Sequence, residues 1–267
     1  RQMCIRDRHE RDRIRRALRV FYKQYAGVFV LNNEHRDWLT GHHMQLEEER
    51  VYLTAHHTQK RDHAVRGIDK TELFEDATKD TPVLLFAGRV SREKGIFDLP
   101  EIYARVKKAM PDVKIVIAGT GPAEQALKEA LPEALFLGWV DKQRIAELYK
   151  GLDLFVFPSR FDTFGNVILE SFVYGMPAVA YDCKGPKDII QHDECGYLVK
   201  DIEQMAEHIV RYFSSEPARV KMIQNAMSRA EEYQAEPIMQ KFIRDMGLDE
   251  MQSEADIQIE AEQRSVA

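Results

Sequence analysis

At 267 residues, with 44% apolar and 31% charged content, the chain has the make-up of a globular protein with room for one large domain or two small ones. Its apolar runs fall short of the roughly 20 residues a membrane helix needs, and a net charge of -6 argues against nucleic acid as a main partner. Residues 1–70 carry 15 Lys and Arg against 10 Asp and Glu, so the rest is strongly acidic and two unlike parts are expected.

In chain order, residues 1–8 (RQMCIRDR) start without Met and lack the apolar core of a signal peptide, so they read as a non-native leader on a chain that continues upstream in the natural protein. Residues 10–25 place Ile14, Leu18, Phe21, Tyr22 and Tyr25 on one helical face among arginines. Such a helix either lies on anionic lipid, a peripheral membrane contact, or packs its stripe on a domain; the second reading is preferred. A short strand (AGVFVLN), a helix turning at Gly41 and a second strand (RVYLTAH) follow, and residues 9–60 resemble the end of an α/β domain. The histidine pairs 42–43 and 56–57, with His63, have no fixed ligand spacing and read as solvated. Cys4, Cys183 and Cys195 form no CxxC pair, which suits a reducing, cytoplasmic compartment and no metal site.

Residues 61–81 read as a linker. From Pro82 the runs PVLLFAG, DVKIVIAG, ALFLGW, DLFVFPS and MPAVAYD alternate with helix-period segments, including one with Leu99, Ile102 and Val106 on its apolar face. Runs this apolar are strands buried on both faces, so residues 82–200 are expected to form a doubly wound parallel sheet, a Rossmann-like α/β fold. Helices follow over 201–247, and 248–267 is an acidic tail poor in large apolar residues.

In such sheets ligands bind beyond the carboxyl ends of the strands. There the sequence places Gly88-Arg89 and Lys94-Gly95, cations that suit a diphosphate. Next comes Gly119-Thr120-Gly121-Pro122, a lone GxG that lacks the third glycine of a dinucleotide fingerprint and the acid that would follow it. After the fourth run, Asp162 and Glu170 stand eight apart around a helix expected to start near Gly165–Asn166, whose first-turn N–H groups (Asn166, Val167, Ile168) favour an anion. Asp162 as a helix cap and Glu170 as a surface position remain the plain alternatives. A carboxylate packed between Leu169 and Phe172 would, however, need a partner.

GRVSREKG, IAGTGP, FLGWV, DLFVFPS and DTFGNVILESFVYGMPAVA, in this order and spacing, resemble the retaining nucleotide-sugar glycosyltransferases of family 4, which have two Rossmann-like domains (the GT-B fold). The resemblance is close over 82–200 and loose over 14–60 and 201–245. It implies that Arg89 and Lys94 bind the donor diphosphate and steady the departing charge, that Glu170 holds the ribose, and that Gly88, Gly121 and the backbone near Trp139–Val140 line the nucleotide. It also implies that Asp162, where the family usually has Glu, touches the transferred sugar beside Phe164, Gly165, Asn166 and Val167. Neither metal nor cofactor is implied; the partners would be a nucleotide-sugar donor and a glycan, lipid or small-molecule acceptor. The family's two-glycine loop before an acid appears as Cys183-Lys184-Gly185-Pro186-Lys187-Asp188, and its amino-terminal acceptor domain with a catalytic histidine is matched only by residues 9–60. The fragment is thus expected to be mainly the donor-binding half, inactive alone. The alternatives are a non-catalytic nucleotide-sugar module, or another GT-B enzyme such as an epimerase, which the spacing of Asp162 and Glu170 disfavours.

Overall fold

A computed structural model describes residues 13–42, 44–58 and 60–248. The chain forms two compact units, one from the residues up to His57 together with those from Ala235 onward, the other Thr58–Gln234. Residues 1–8 and almost all of the acidic tail lie outside the described residues.

In the first unit, helix α1 covers residues 13–22, and strands β1 (Val28–Val30) and β2 (Val51–Leu53) pair in parallel around helix α2 (Asn33–Thr40). Asn32 caps α2 by accepting the His35 N–H at 2.9 Å. Val30, Leu39, Met44, Leu46 and Val51 form a small core. Of the expected apolar face of α1, Leu18 and Tyr22, four apart, pack on that core, whereas Ile14, Phe21 and Tyr25 stay exposed. The helix Ala235–Asp245 belongs to this unit, and its Phe242 ring lies 4.6 Å from Phe29.

The second unit is a six-stranded parallel sheet: β3 (Val83–Ala87), β4 (Lys114–Ala118), β5 (Leu135–Gly138), β6 (Leu154–Phe157), β7 (Ala178–Tyr181) and β8 (Gly196–Val199). The strand order is β5-β4-β3-β6-β7-β8, so the chain reverses its direction of travel between β3 and β6. Every residue of β3, β6 and β7 is buried, which is why these strands read as unbroken apolar runs. The covering helices are α3 (Leu99–Ala109), α4 (Glu124–Ala130), α5 (Lys142–Gly151), α6 (Asn166–Val173), α7 (Pro186–Ile189), α8 (Ile202–Phe213) and α9 (Glu216–Glu231). Leu99, Ile102 and Val106 of α3 share one core cluster with Met205 and Ile209 of α8.

The boundaries differ from the expected ones for packing reasons. Residues 61–81 are part of this unit: Ile68 and Ala77 are buried, and the Ile68 N–H donates to the Glu147 carbonyl at 3.1 Å. Helices α8 and α9 also belong here, because α8 completes the core over α3. Strand β8 escapes sequence patterning; it is a short edge strand opening on Gly196, where a Cβ would collide with the Ala178 carbonyl oxygen.

Lys70 ties this added segment to the sheet. Its buried ammonium donates to the carbonyls of Lys79 (3.0 Å) and Thr81 (2.8 Å) and to Asp153 Oδ1 (2.9 Å), while Asp153 Oδ2 accepts the Val83 N–H at 2.7 Å. Burial pushes the Asp153 carboxyl upward, and the Lys70 charge and the Val83 N–H pull it back. Removing one partner of a satisfied buried pair strands the other. Lys70→Met is therefore expected to cost about 3 kcal/mol or more of stability, read as a fall in Tm, with Asp153→Asn in the same chain recovering part of the loss.

Candidate functional site

Where neighbouring strands send their connections to opposite faces, a crevice opens at their carboxyl ends. Here it lies beside β3, as a cleft of about 370 Å³. Gly88 and Arg89 after β3, Gly119 and Thr120 after β4, Trp139 and Val140 after β5, and Val167 and Glu170 of α6 line it, with one face of α5. Arg89 has 66% of its side chain exposed, and its one ion pair among the described residues, to Glu93 at 3.9 Å, is loose enough to leave the guanidinium open to an anion. Trp139, 75% exposed, stands at the rim.

Glu170 is placed by helical period. Ile168, Leu169, Ser171 and Phe172 are buried, which leaves Val167 and Glu170, three apart, to face the cleft. The carboxylate is thus exposed rather than packed between Leu169 and Phe172, and the partner argument made for a buried acid does not apply. The surrounding walls still strip part of its water and push its pKa up, with the Lys142 charge pulling it down.

The second acid behaves differently. Asp162 Oδ1 accepts the N–H groups of Phe164 (3.2 Å) and Gly165 (2.9 Å), while Oδ2 accepts from Lys94 Nζ at 2.7 Å. Asp162 therefore closes the loop before α6 instead of capping the helix; the cap is Gly165, at φ +94°. Lys94 and Asp162 meet each other and are not among the residues lining the cleft. Their meeting depends on Gly95, at φ +70°, where a Cβ would strike the Pro158 carbonyl oxygen and hold the turn Arg92–Lys94 away from the β6 loop.

Three other expected contacts take other places. Phe164 is buried and meets the edge of Tyr233 at 6.1 Å, so its ring packs inward. Gly121 lets the turn after β4 approach the Val90 backbone closely, again outside the cleft lining. Asn166 opens α6 without lining the cleft, and in the first turn the Ile168 N–H is already taken by the Gly165 carbonyl at 2.9 Å. The segment that departs from the two-glycine pattern still forms a turn: the Gly185 N–H donates to Asp188 Oδ2 at 3.3 Å, and Gly185 sits against the Phe164 backbone.

Lys142, Ile145 and Tyr149 also line the cleft, and sequence reasoning did not single them out. Ile145 and Tyr149, four apart, carry the pattern of an ordinary amphipathic helix, so nothing local marks them.

Among the described residues, His192, Asp193 and His208 bring possible metal-ligand atoms within 4.8 Å of one another. His208 Nδ1 meets the Gln204 carbonyl at 2.8 Å, which leaves its Nε2 open. His192, however, accepts the Leu198 N–H at Nδ1 (3.0 Å), which puts the ring proton of the neutral form on Nε2, and Asp193 is paired with Arg211 at 2.9 Å. The donor set is that of a surface hydrogen-bond cluster. His42, His56, His57 and His63 are exposed, and His43 lies outside the described residues.

The glycosyl transferases group 1 family matches residues 69–229, more than half of the chain and all of the cleft. The chain belongs to that family. It is 35% identical over 118 residues to a GDP-mannose-dependent alpha-mannosyltransferase of Corynebacterium glutamicum, covering 44% of this chain and 27% of that protein. It is 30% identical over 155 residues to an alpha-D-kanosaminyltransferase of Streptomyces kanamyceticus, covering 55% and 40%. The chain thus spans less than half the length of these relatives. Among solved structures, S. aureus TarM superposes with a TM-score of 0.67 at 20% identity, over 86% of this chain and 45% of that one. An Anabaena protein, HepE, solved with UDP, gives 0.69 at 18%, over 83% and 64%. At these identities the structures show the fold alone, a Rossmann-like sheet shared with GT-B glycosyltransferases.

The group 1 domain also sets the reactivity of its thiols. Burial, then the nearby carboxylates of Asp162 and Asp182, push the Cys183 thiol up to about 11; burial likewise raises Cys195. At pH 8 only roughly one Cys183 in a thousand would be thiolate, against about a quarter of a free cysteine. In a Cys4→Ser chain, iodoacetamide at pH 8 is expected to modify Cys183 at least about 10 times more slowly than free cysteine, the thiolate deficit being partly offset by the greater nucleophilicity of a more basic thiolate, measured by intact-mass time courses.

Proposed function

We propose that this chain carries the donor-binding domain of a retaining family 4 glycosyltransferase, which moves a sugar from a nucleotide diphosphate sugar to an acceptor hydroxyl. The observation that carries the reading is the cleft at the strand reversal of a group 1 domain, which presents an open guanidinium (Arg89) and a carboxylate (Glu170) to one cavity. That pairing suits a nucleoside diphosphate, whose phosphates need cations and whose ribose needs an acceptor. The relatives named for GDP-mannose and kanosamine transfer, and the UDP complex of HepE, support the same donor class. The acceptor would be a glycan, lipid or small molecule.

The chain's own residues then divide the work. As the bond from sugar to phosphate breaks, negative charge grows on the leaving diphosphate, and Arg89 stabilises it electrostatically. Lys94 has three N–H donors and gives one to Asp162, so two remain for phosphate oxygens without breaking the pair. Asp162, held by Lys94 and two backbone N–H groups, is fixed in direction and keeps acceptor capacity for a sugar hydroxyl. Val167 brings the start of α6 to the cleft, where the positive end of the helix adds to the cationic field. Charge neutralisation in this reading falls to these groups, with no metal or cofactor assigned, and Glu170 takes the ribose.

Titration of the chain with UDP, GDP and ADP by calorimetry is expected to show binding of at least one, weakened about tenfold or more by Arg89→Ala. Binding of none, or binding indifferent to that change, overturns the reading. In the full-length natural protein, Asp162→Asn is expected to abolish transfer while leaving nucleotide binding within about twofold; unchanged transfer would remove Asp162 from the catalytic set.

A further inference from the structure

Helix α5 starts at Asp141, whose carboxylate accepts the Arg144 N–H at 2.7 Å, and turns Ile145 and Tyr149 toward the cleft. The Tyr149 ring is 2% exposed and stands edge-on to Phe155 at 5.9 Å. Its hydroxyl is out of contact with solvent and has no hydrogen-bond partner among the described residues. A buried phenol left unpaired costs about 1–3 kcal/mol, and folded proteins keep few such groups. Here it lies in the wall of a ligand-sized cleft, close enough to Glu170 for that carboxylate's charge to act on it. Glu170 makes no hydrogen bond among the described residues either, and an ionised carboxylate can only accept. A buried donor without an acceptor thus adjoins an acceptor that only water serves.

We propose that Tyr149 is the positioning residue of Glu170: when a ligand enters and displaces the water on the carboxylate, Glu170 takes the Tyr149 O–H, and this bond aims its remaining lone pairs at a vicinal diol of the ligand. The inference rests on the nucleotide reading above, in which that diol is the ribose. Glu170 is exposed at the cleft, whereas the Tyr149 hydroxyl is buried with no partner among the described residues. In the filled cleft the carboxylate would lose water, and the Lys142 charge offsets part of that loss. Pairing with Tyr149 satisfies both groups at once, so part of the binding free energy comes from a bond that the empty protein leaves unmade. Because each hydroxyl of a diol can donate to one carboxylate, its two oxygens must be held in direction, which a freely rotating Glu170 would not do.

The test is a double-mutant cycle on the whole chain, with whichever of UDP, GDP and ADP binds the wild type most tightly. Tyr149→Phe keeps the ring and is expected to weaken binding about tenfold, the worth of a hydrogen bond to a charged group. In a Glu170→Ala background, which removes the acceptor oxygens, the same change is expected to cost less than about twofold. An undiminished affinity in Tyr149→Phe, or an equal loss in both backgrounds, overturns the proposal, the second result marking a packing effect. Should Tyr149→Phe unfold, carbon-13 tyrosine spectra of the wild type give the second reading: nucleotide is expected to move the Tyr149 resonance, and not to move it in Glu170→Ala. A resonance that shifts equally in both chains overturns the proposal. Absence of binding by all three nucleotides in the wild type overturns the nucleotide reading and this one together; binding with no role for Tyr149 overturns this one alone.

Discussion

The site depends on the reversal of strand order beside β3. That strand is hydrogen-bonded on both sides, to β4 and to β6, and the connections that follow these strands lead away from each other. The gap above its carboxyl end therefore remains free of covering helix, and every polar group that emerges there has somewhere to face. Arg89 emerges from β3 itself, Thr120 from β4 and Trp139 from β5, while Glu170 comes from the helix that follows β6. Four segments distant in the chain reach one cavity because the sheet must be buried on both faces and yet must reverse.

The two acids that stand eight apart are held by opposite means. Asp162 is fixed: three hydrogen bonds, one of them from an ammonium, leave it little freedom. Glu170, by contrast, makes no hydrogen bond among the described residues and stands exposed near a lysine charge. A fixed acid suits a group that must keep a constant direction. A hydrated acid suits one that must exchange water for a ligand, at a desolvation cost that a neighbouring donor can offset. The Lys94–Asp162 pair extends this division, since it ties the turn after β3 to the loop before α6 without filling the cleft between them.

Much of the fold was legible because burial on both faces leaves a plain mark. β3, β4, β6 and β7 lie within the apolar runs that announced them, and α3 buries the same Leu99, Ile102 and Val106 that its periodicity picked out. β8 left no such mark, being four residues at a sheet edge and opening on glycine. The span 61–81 lacked the periodicity of an element, yet a buried lysine with three acceptors binds it to the sheet, and a single Lys–Asp pair 83 residues apart has no local signature. In the cleft, Arg89 and Glu170 could be picked out by residue type and position, whereas Tyr149, at an ordinary apolar position of an amphipathic helix, carried no local mark.

The sequence by itself determined the alternation of strand and helix, the residues that leave the strands at their carboxyl ends, and membership of the group 1 family through the order of its motifs. Those properties depend on local composition and on spacing along the chain. Only the tertiary structure decided that Lys94 and Asp162 face each other, that the Phe164 ring turns inward, that Glu170 stands in water, and that the Tyr149 hydroxyl waits unpaired beside it. Each of these is a question of which groups meet across the fold, and the energies of desolvation and pairing that answer it depend on distance in space rather than on position in the chain.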